Sequence, residues 1–187
     1  MTPKSVAAYF ARALALVVGW AAVANAWARD ADEQAFILRY RCLVEQTLQA
    51  IKDTPMKTAE DQNRFLILYR PEHGASYVQC ILHEADKQAY CEAASGYWDH
   101  PKGAPRNHFI VGKALNALVA LGFSPDDSKG NFVREFAVAG PQDFPNLAEF
   151  MLAALYEGYA GRAQMRIGVE APDAPQRQSE ERCQALS

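Results

Sequence analysis

Three strand-like segments with short connectors constrain the topology of this chain more than any other feature. Residues 64–70, 76–83 and 88–95 are rich in Tyr, Val, Ile and Phe, which favour strands. Residues 71–75 and 84–87 connect them and carry the Pro, Gly and Asp typical of turns. Links this short join antiparallel neighbours, because a parallel crossover needs about a dozen residues or more. The three segments therefore predict a β-meander.

The second hairpin of this meander places two cysteines opposite each other. A tight turn centred on Ala85 and Asp86 sets a register in which Cys80 faces Cys91. Directly opposed residues lie about 4.5–5.5 Å apart between Cα atoms, within the range that a disulfide tolerates. We expect a Cys80–Cys91 bridge, or at the least a buried contact between the two side chains.

The other two cysteines are far apart in sequence. Cys42 lies nearly opposite the apolar stripe of a helix predicted over residues 32–52 and so faces outward, where it can bridge to Cys183 and pin a polar tail over residues 162–187. No CxxC motif or Cys/His ladder indicates a metal or redox site, so the even count favours two structural disulfides. Free thiols and an intermolecular bridge are the alternatives.

Helical periodicity on both sides of the meander completes the fold prediction. Apolar residues recur at spacings of three and four in residues 32–52, 107–121 and 143–161. A further strand is predicted over residues 131–138, with a shorter one possible over 121–124. The order α-β-β-β-α-(β)-β-α predicts an α+β fold, an antiparallel sheet packed with three helices.

Residues 1–28 have the pattern of a secretory signal peptide. Lys4 and Arg12 precede an apolar run over residues 13–24, which two small-x-small cleavage sites follow. The run is shorter than the roughly 20 residues that a membrane-spanning helix needs. We expect cleavage near Arg29, no membrane insertion afterwards, one domain over residues 29–161, and a periplasmic or secreted location.

Charge excludes one class of partner. The 19 basic residues fall to 17 without Lys4 and Arg12, against 22 acidic residues, so the net charge moves from −3 to −5. Nucleic-acid binding calls for clusters of basic residues instead.

Recognisable catalytic motifs are absent from the sequence. It has no G-x-S-x-G, P-loop or HExxH. The four histidines, His73, His83, His100 and His108, do not have the spacing of metal ligands. Cys80 precedes His83 by three residues, an offset that sends the two side chains to opposite faces of a strand. We therefore predict no enzymatic activity, no cofactor and no metal.

One loop has the composition of a ligand site. Tyr97, Trp98, Asp99 and His100 bring two aromatic rings, a carboxylate and an imidazole into the Gly/Pro-rich residues 96–106. The alternative is that Trp98 closes the edge of the core.

The second predicted helix is apolar over a wider arc than one sheet covers. Val111, Leu115 and Val119 extend its stripe to nearly twice the roughly 100° that such a helix needs. Either a folded-back loop or a second chain has to bury the excess. The periodicity alone leaves the two open.

Short motifs in these elements resemble a known family in their order and spacing. They are Tyr77-Val78-Gln79, Glu92 with Ala94-Ser95, Leu121-Gly122-Phe123 with Pro125, Asn131-Phe132 with Arg134, and a last helix ending in Tyr159. Together they resemble the TY-Chap domain, one of the bacterial domains with a type III secretion chaperone-like fold, over roughly residues 62–161, here in an exported, cysteine-containing version. The resemblance implies a small α+β fold that is often dimeric, with the second helix near the dimer interface, and that binds other proteins without an established catalytic centre.

The sequence therefore predicts a non-enzymatic, chaperone-like exported domain that binds another protein through apolar surface. The alternatives are a carrier of a small apolar ligand between sheet and helices, and a small hydrolase using the Tyr97–His100 loop. A broad apolar face favours protein binding, whereas a deep closed pocket favours the alternatives.

Overall fold

A computed structural model describes residues 30–55, 63–83, 87–97, 110–126, 128, 130–172, 174 and 179–183. The predicted signal peptide lies outside these residues. The elements in chain order are α1 (Ala31–Asp53), β1 (Phe65–Arg70), β2 (His73–His83), β3 (Gln88–Ala93), α2 (Lys113–Ala120), β4 (Phe132–Ala137), a short 3-10 helix (Pro141–Asp143), α3 (Phe144–Gly158) and β5 (Gly168–Glu170). The prediction of an α+β fold is confirmed.

The five strands form one sheet in the order β4-β3-β2-β1-β5, and every neighbouring pair is antiparallel. Strands β1, β2 and β3 are the predicted meander, and Cys80 lies opposite Cys91 in the predicted register. Period-2 alternation sends Leu66 and Leu68 of β1 to the buried face, while Ile67 and Tyr69 lie half-buried on the other.

Helix α3 is the centre of the helical layer. Eleven of its 15 residues are buried, and it packs against α1, α2 and the first three strands. A helix that is apolar on nearly all sides needs neighbours on all sides. Pro145 stands in its first turn, as predicted, where the missing N–H is not needed.

Helix α1 packs mainly against α3, where the rings of Phe36 and Tyr156 lie 5.5 Å apart, and its buried face also includes Val44 and Leu48. Asp32 and Glu33 stand in its first turn and Lys52 in its last, which suits the helix dipole.

Both predicted disulfides are present, and all four cysteines are paired. Cys80 and Cys91 are joined with a Cα–Cα distance of 4.1 Å, and both side chains are fully buried. Cys42 and Cys183 are joined at 5.9 Å between Cα atoms, across 141 residues of sequence.

Two local predictions around α2 are wrong. Helix α2 begins at Lys113, because Gly112 has a left-handed φ of 60° that interrupts the helical path before it. Residues 110–112 are therefore not helical, and residues 107–109 lie outside the described part of the chain. The short strand predicted over 121–124 is the turn that follows α2, although Ser124 N donates to Val133 O of β4 at 2.8 Å.

The segment after α3 contains a strand that the sequence reasoning assigned to the polar tail. Strand β5 pairs with β1 through Ile67–Glu170, Leu68–Val169 and Tyr69–Gly168. It therefore forms an edge of the sheet.

Candidate interaction surface

Helix α2 packs on the rest of the domain through a narrow buried face. Leu118 is its one fully buried residue. Leu118 packs directly over Gly158 of α3, where an added Cβ would lie 3.0 Å from Leu118 Cδ2. The absence of a side chain at Gly158 thus lets the two helices approach closely, and most of α2 stays near the surface.

Exposed apolar side chains concentrate around α2. Among the described residues, the exposed large apolar side chains are Leu38 at 65%, Val111 at 62% and Val119 at 40%. Leu115, one turn before Val119 on the same helix face, is half-buried. We call Val111, Leu115 and Val119 the α2 patch. Val111 precedes the helix, so its predicted place on one helical stripe with Leu115 and Val119 is wrong. It is nevertheless exposed and lies close to them in the sequence.

Arg134 fastens the end of α2 to the sheet. It lies on the helix-facing side of the edge strand β4, opposite Cys91. Its Nη1 donates to Leu121 O, which ends α2, and its guanidinium lies 4.1 Å from the ring centre of Phe136 and 4.8 Å from that of Phe150. Partial burial lowers the pKa of Arg134 below the usual arginine value, yet an arginine stays charged in proteins.

An asparagine before β4 organises the end of the meander. Asn131 Nδ2 donates to Tyr77 OH at 2.8 Å, and its Oδ1 accepts from Ser95 N at 3.2 Å. Ser95 Oγ in turn donates to Gly130 O and accepts from Tyr97 N. Tyr77, Ser95 and Asn131 are among the motif residues, but the bonds from Asn131 to Tyr77 and Ser95 and from Ser95 to Gly130 join positions more than 30 apart and have no local signal in the sequence.

These contacts anchor the start of the predicted ligand loop. Tyr97 is half-buried. Trp98, Asp99 and His100 lie outside the described residues, so the ligand-binding role of this loop stays a prediction.

The sheet face turned away from the helices carries a shallow depression of about 470 Å³. Ile67, Tyr69, Tyr77, Gln79 and Glu170 line it. The ring of Tyr69 lies over Gly168, where any side chain would overlap it. The depression is open to solvent and lacks the enclosure expected of a pocket that surrounds an apolar ligand.

Among the described residues, few side chains of the types that commonly serve in catalysis are placed together. All four cysteines are in disulfides and provide no thiolate. Within the described residues, no group of three or more His, Cys, Asp or Glu side chains is placed to hold a metal ion. His73 and His83 lie at opposite ends of β2, and the other two histidines lie outside the described residues.

Among the helices that the structure describes, none combines the length and the apolar composition needed to cross a membrane. Comparisons with models of protein families, with curated proteins and with solved structures found no match.

Proposed function

We propose that this protein is an exported, non-enzymatic, chaperone-like domain that binds protein and that self-associates through the α2 patch. The observation that carries the proposal is the exposure of Val111 and Val119 beside the half-buried Leu115. Apart from Leu38 on α1, the other large apolar side chains of the described residues are buried or half-buried. Exposed apolar side chains that cluster on one part of a surface are typical of interaction sites, whereas single scattered ones are ordinary.

The energetics suit a reversible complex. Each partly exposed aliphatic side chain contributes on the order of 1–2 kcal/mol when a partner removes it from water. The burial of three such side chains on each of two copies outweighs the free-energy cost of lost translational and rotational freedom by only a modest margin. We therefore expect a dimer in the micromolar range.

Export is supported by two independent features. The signal pattern at the N-terminus directs a chain out of the cytoplasm. The two intramolecular disulfides need an oxidising compartment to form and persist. The resemblance to TY-Chap domains agrees with protein binding, and the periplasm is the compartment we propose.

The two alternatives have weaker support. Among the described residues, buried side chains such as Leu68, Val78 and Met151 belong to one apolar core between helices and sheet, which favours ordinary packing over a carrier's ligand site. The hydrolase depends on Trp98, Asp99 and His100, which the structure does not describe.

A charge on the α2 patch tests the proposal. Val119→Glu places a carboxylate on an exposed position, so we expect a folded protein that is monomeric at micromolar concentration, where the wild type sediments as a dimer. Sedimentation velocity measures both, and circular dichroism checks the fold.

Leu38→Glu is the matched control, because it adds the same charge at an exposed apolar position on α1. It should leave the dimer intact. A wild type that is monomeric at these concentrations, or equal dissociation by both variants, would contradict the proposed self-association.

A further inference from the structure

A second depression, of about 490 Å³, lies between the turn after β1 and the segment that follows α3. Among the described residues that line it are three arginines, Arg70, Arg162 and Arg166, and one acid, Glu72. Its local charge of about +2 at neutral pH contrasts with the chain's net charge of −3. We call this depression the arginine pocket.

The segment that carries two of the arginines is held in place by α1. Asp32 Oδ2 accepts hydrogen bonds from Ala163 N at 2.9 Å and from Tyr156 OH at 2.7 Å. Tyr40 OH donates to Met165 O at 2.8 Å. These bonds fasten the backbone on both sides of Gln164, so the wall of the pocket is preorganised, which lowers the entropic cost of binding a ligand.

Arg70 belongs to the lining of the pocket, and one of its hydrogen-bond donors has no partner. Its Nη1 donates to Tyr159 O at 2.6 Å, whereas its Nε is buried and has no hydrogen-bond partner. A buried donor without an acceptor is unfavourable, and each such group in a native protein calls for an explanation. The bond to the Tyr159 carbonyl fixes the Arg70 guanidinium at the lining of the depression.

The other arginine charges of the pocket also lack acidic partners. Arg166 and Glu72 form no ion pair within the described residues, whereas Arg41 on α1 pairs with Glu149 at 2.8 Å. Arg162 donates to the neighbouring carbonyl of Gly161, which leaves its charge uncompensated. The nearby carboxylate of Asp32 is already occupied by an N–H and a hydroxyl.

We infer that the arginine pocket binds a small, doubly charged oxyanion, a phosphate group or a dicarboxylate. Guanidinium groups present planar pairs of N–H donors that match the oxygens of both chemistries. Like the depression on the sheet, this one is shallow and open to solvent, so charge rather than enclosure would hold a ligand, and the excess of about two positive charges suits a dianion. Glu72 at the rim repels the ligand and so weakens its binding. The site does not depend on the proposed self-association, because none of its residues belongs to the α2 patch.

Isothermal titration of the full-length mature protein tests this inference, with inorganic phosphate in one arm and succinate in the other at mildly alkaline pH and low salt. Binding in either arm supports it, and the arm that binds identifies the chemistry. Arg166→Gln should weaken binding at least about tenfold, the loss expected for one charge-assisted hydrogen-bonded pair. Because Arg166 is exposed, this variant should fold normally.

Two further variants test the direction in which charge changes the affinity for the anion. Glu72→Gln should tighten binding, because it removes the carboxylate from the rim. Arg182→Gln is the matched control, since it deletes the same charge at an exposed position outside the pocket, and it should bind like the wild type. No heat with either anion up to about 10 mM, or equal weakening by Arg166→Gln and Arg182→Gln, would overturn the inference. The Val119→Glu variant should keep wild-type anion affinity, which separates this result from the proposed self-association.

Discussion

Tyr159, the residue after α3, shows how one side chain can join three parts of the fold. Its hydroxyl donates to Ala94 O after β3 at 2.8 Å, and its own carbonyl accepts from Arg70 of β1. The side chain is only 5% exposed. Burial raises the pKa of Tyr159 well above the ordinary tyrosine value, and the nearby Tyr77 raises it further. The phenol therefore stays protonated in the folded protein at any pH near neutral.

This pKa shift predicts a loss of stability at alkaline pH. Above about pH 10 the unfolded chain releases the Tyr159 proton, whereas the folded protein retains it. The folded state then binds more protons, so the free energy of unfolding falls as pH rises through this range. Tyr159→Phe should lose about 1 kcal/mol at neutral pH through the missing hydrogen bond but decline less steeply above pH 10. Urea denaturation at about pH 8 and pH 11 measures both, and parallel declines in the two proteins would refute the assignment.

At the scale of elements, the junction between β4 and the end of α2 combines the backbone bond from Ser124 N to Val133 O with a side-chain bond from Arg134. A helix leaves its last carbonyls without partners, and Arg134 supplies a donor to Leu121 O. The same guanidinium covers the rings of Phe136 and Phe150. A contact with two aromatic rings and a hydrogen bond from one group suit the guanidinium of arginine better than the ammonium of lysine. The position of the α2 patch therefore depends on Arg134.

Replacing Arg134 should weaken this junction. Arg134→Lys keeps the charge but loses the stacking and the fork of donors, so we expect a loss of about 1–3 kcal/mol in the free energy of unfolding. Arg182→Lys, at an exposed position, should change it by less than about 0.5 kcal/mol. Urea denaturation of the two variants decides, and similar losses would show that the stacked guanidinium has no special role.

At the scale of the whole molecule, the two disulfides act over very different distances. Cys80–Cys91 joins neighbouring strands at a sequence separation of 11, whereas Cys42–Cys183 has a separation of 141 and ties the C-terminal segment to α1. In the chain-entropy model the longer loop contributes about 5 kcal/mol and the shorter about 3 kcal/mol. The long bridge is therefore the larger constraint on the unfolded chain.

The two bridges should also differ in their response to reductant. Thiol exchange requires a thiolate to reach a sulfur atom. Cys80 and Cys91 are fully buried, whereas Cys42 and Cys183 are half-buried. We expect mild reductant under native conditions to open Cys42–Cys183 first. Alkylation followed by peptide mapping over a reductant series gives the order, unfolding in denaturant should remove the difference, and early labelling of Cys80 would contradict the expectation.

The sequence by itself determined the meander, its register and the facing of Cys80 and Cys91, because strand alternation and a short turn are local constraints that act within about ten residues. It also indicated the apolar excess around Leu115 and Val119, since composition along a helix is local too. Only the tertiary structure decided where α2 begins, because the left-handed φ of Gly112 is one of several conformations open to glycine. Strand β5 and the arginine pocket were likewise invisible in the sequence. Strand β5 has only three residues, too few to show a periodicity. Arg70 meets Arg162 and Arg166 because the chain returns to it after about ninety residues and α1 holds the returning segment.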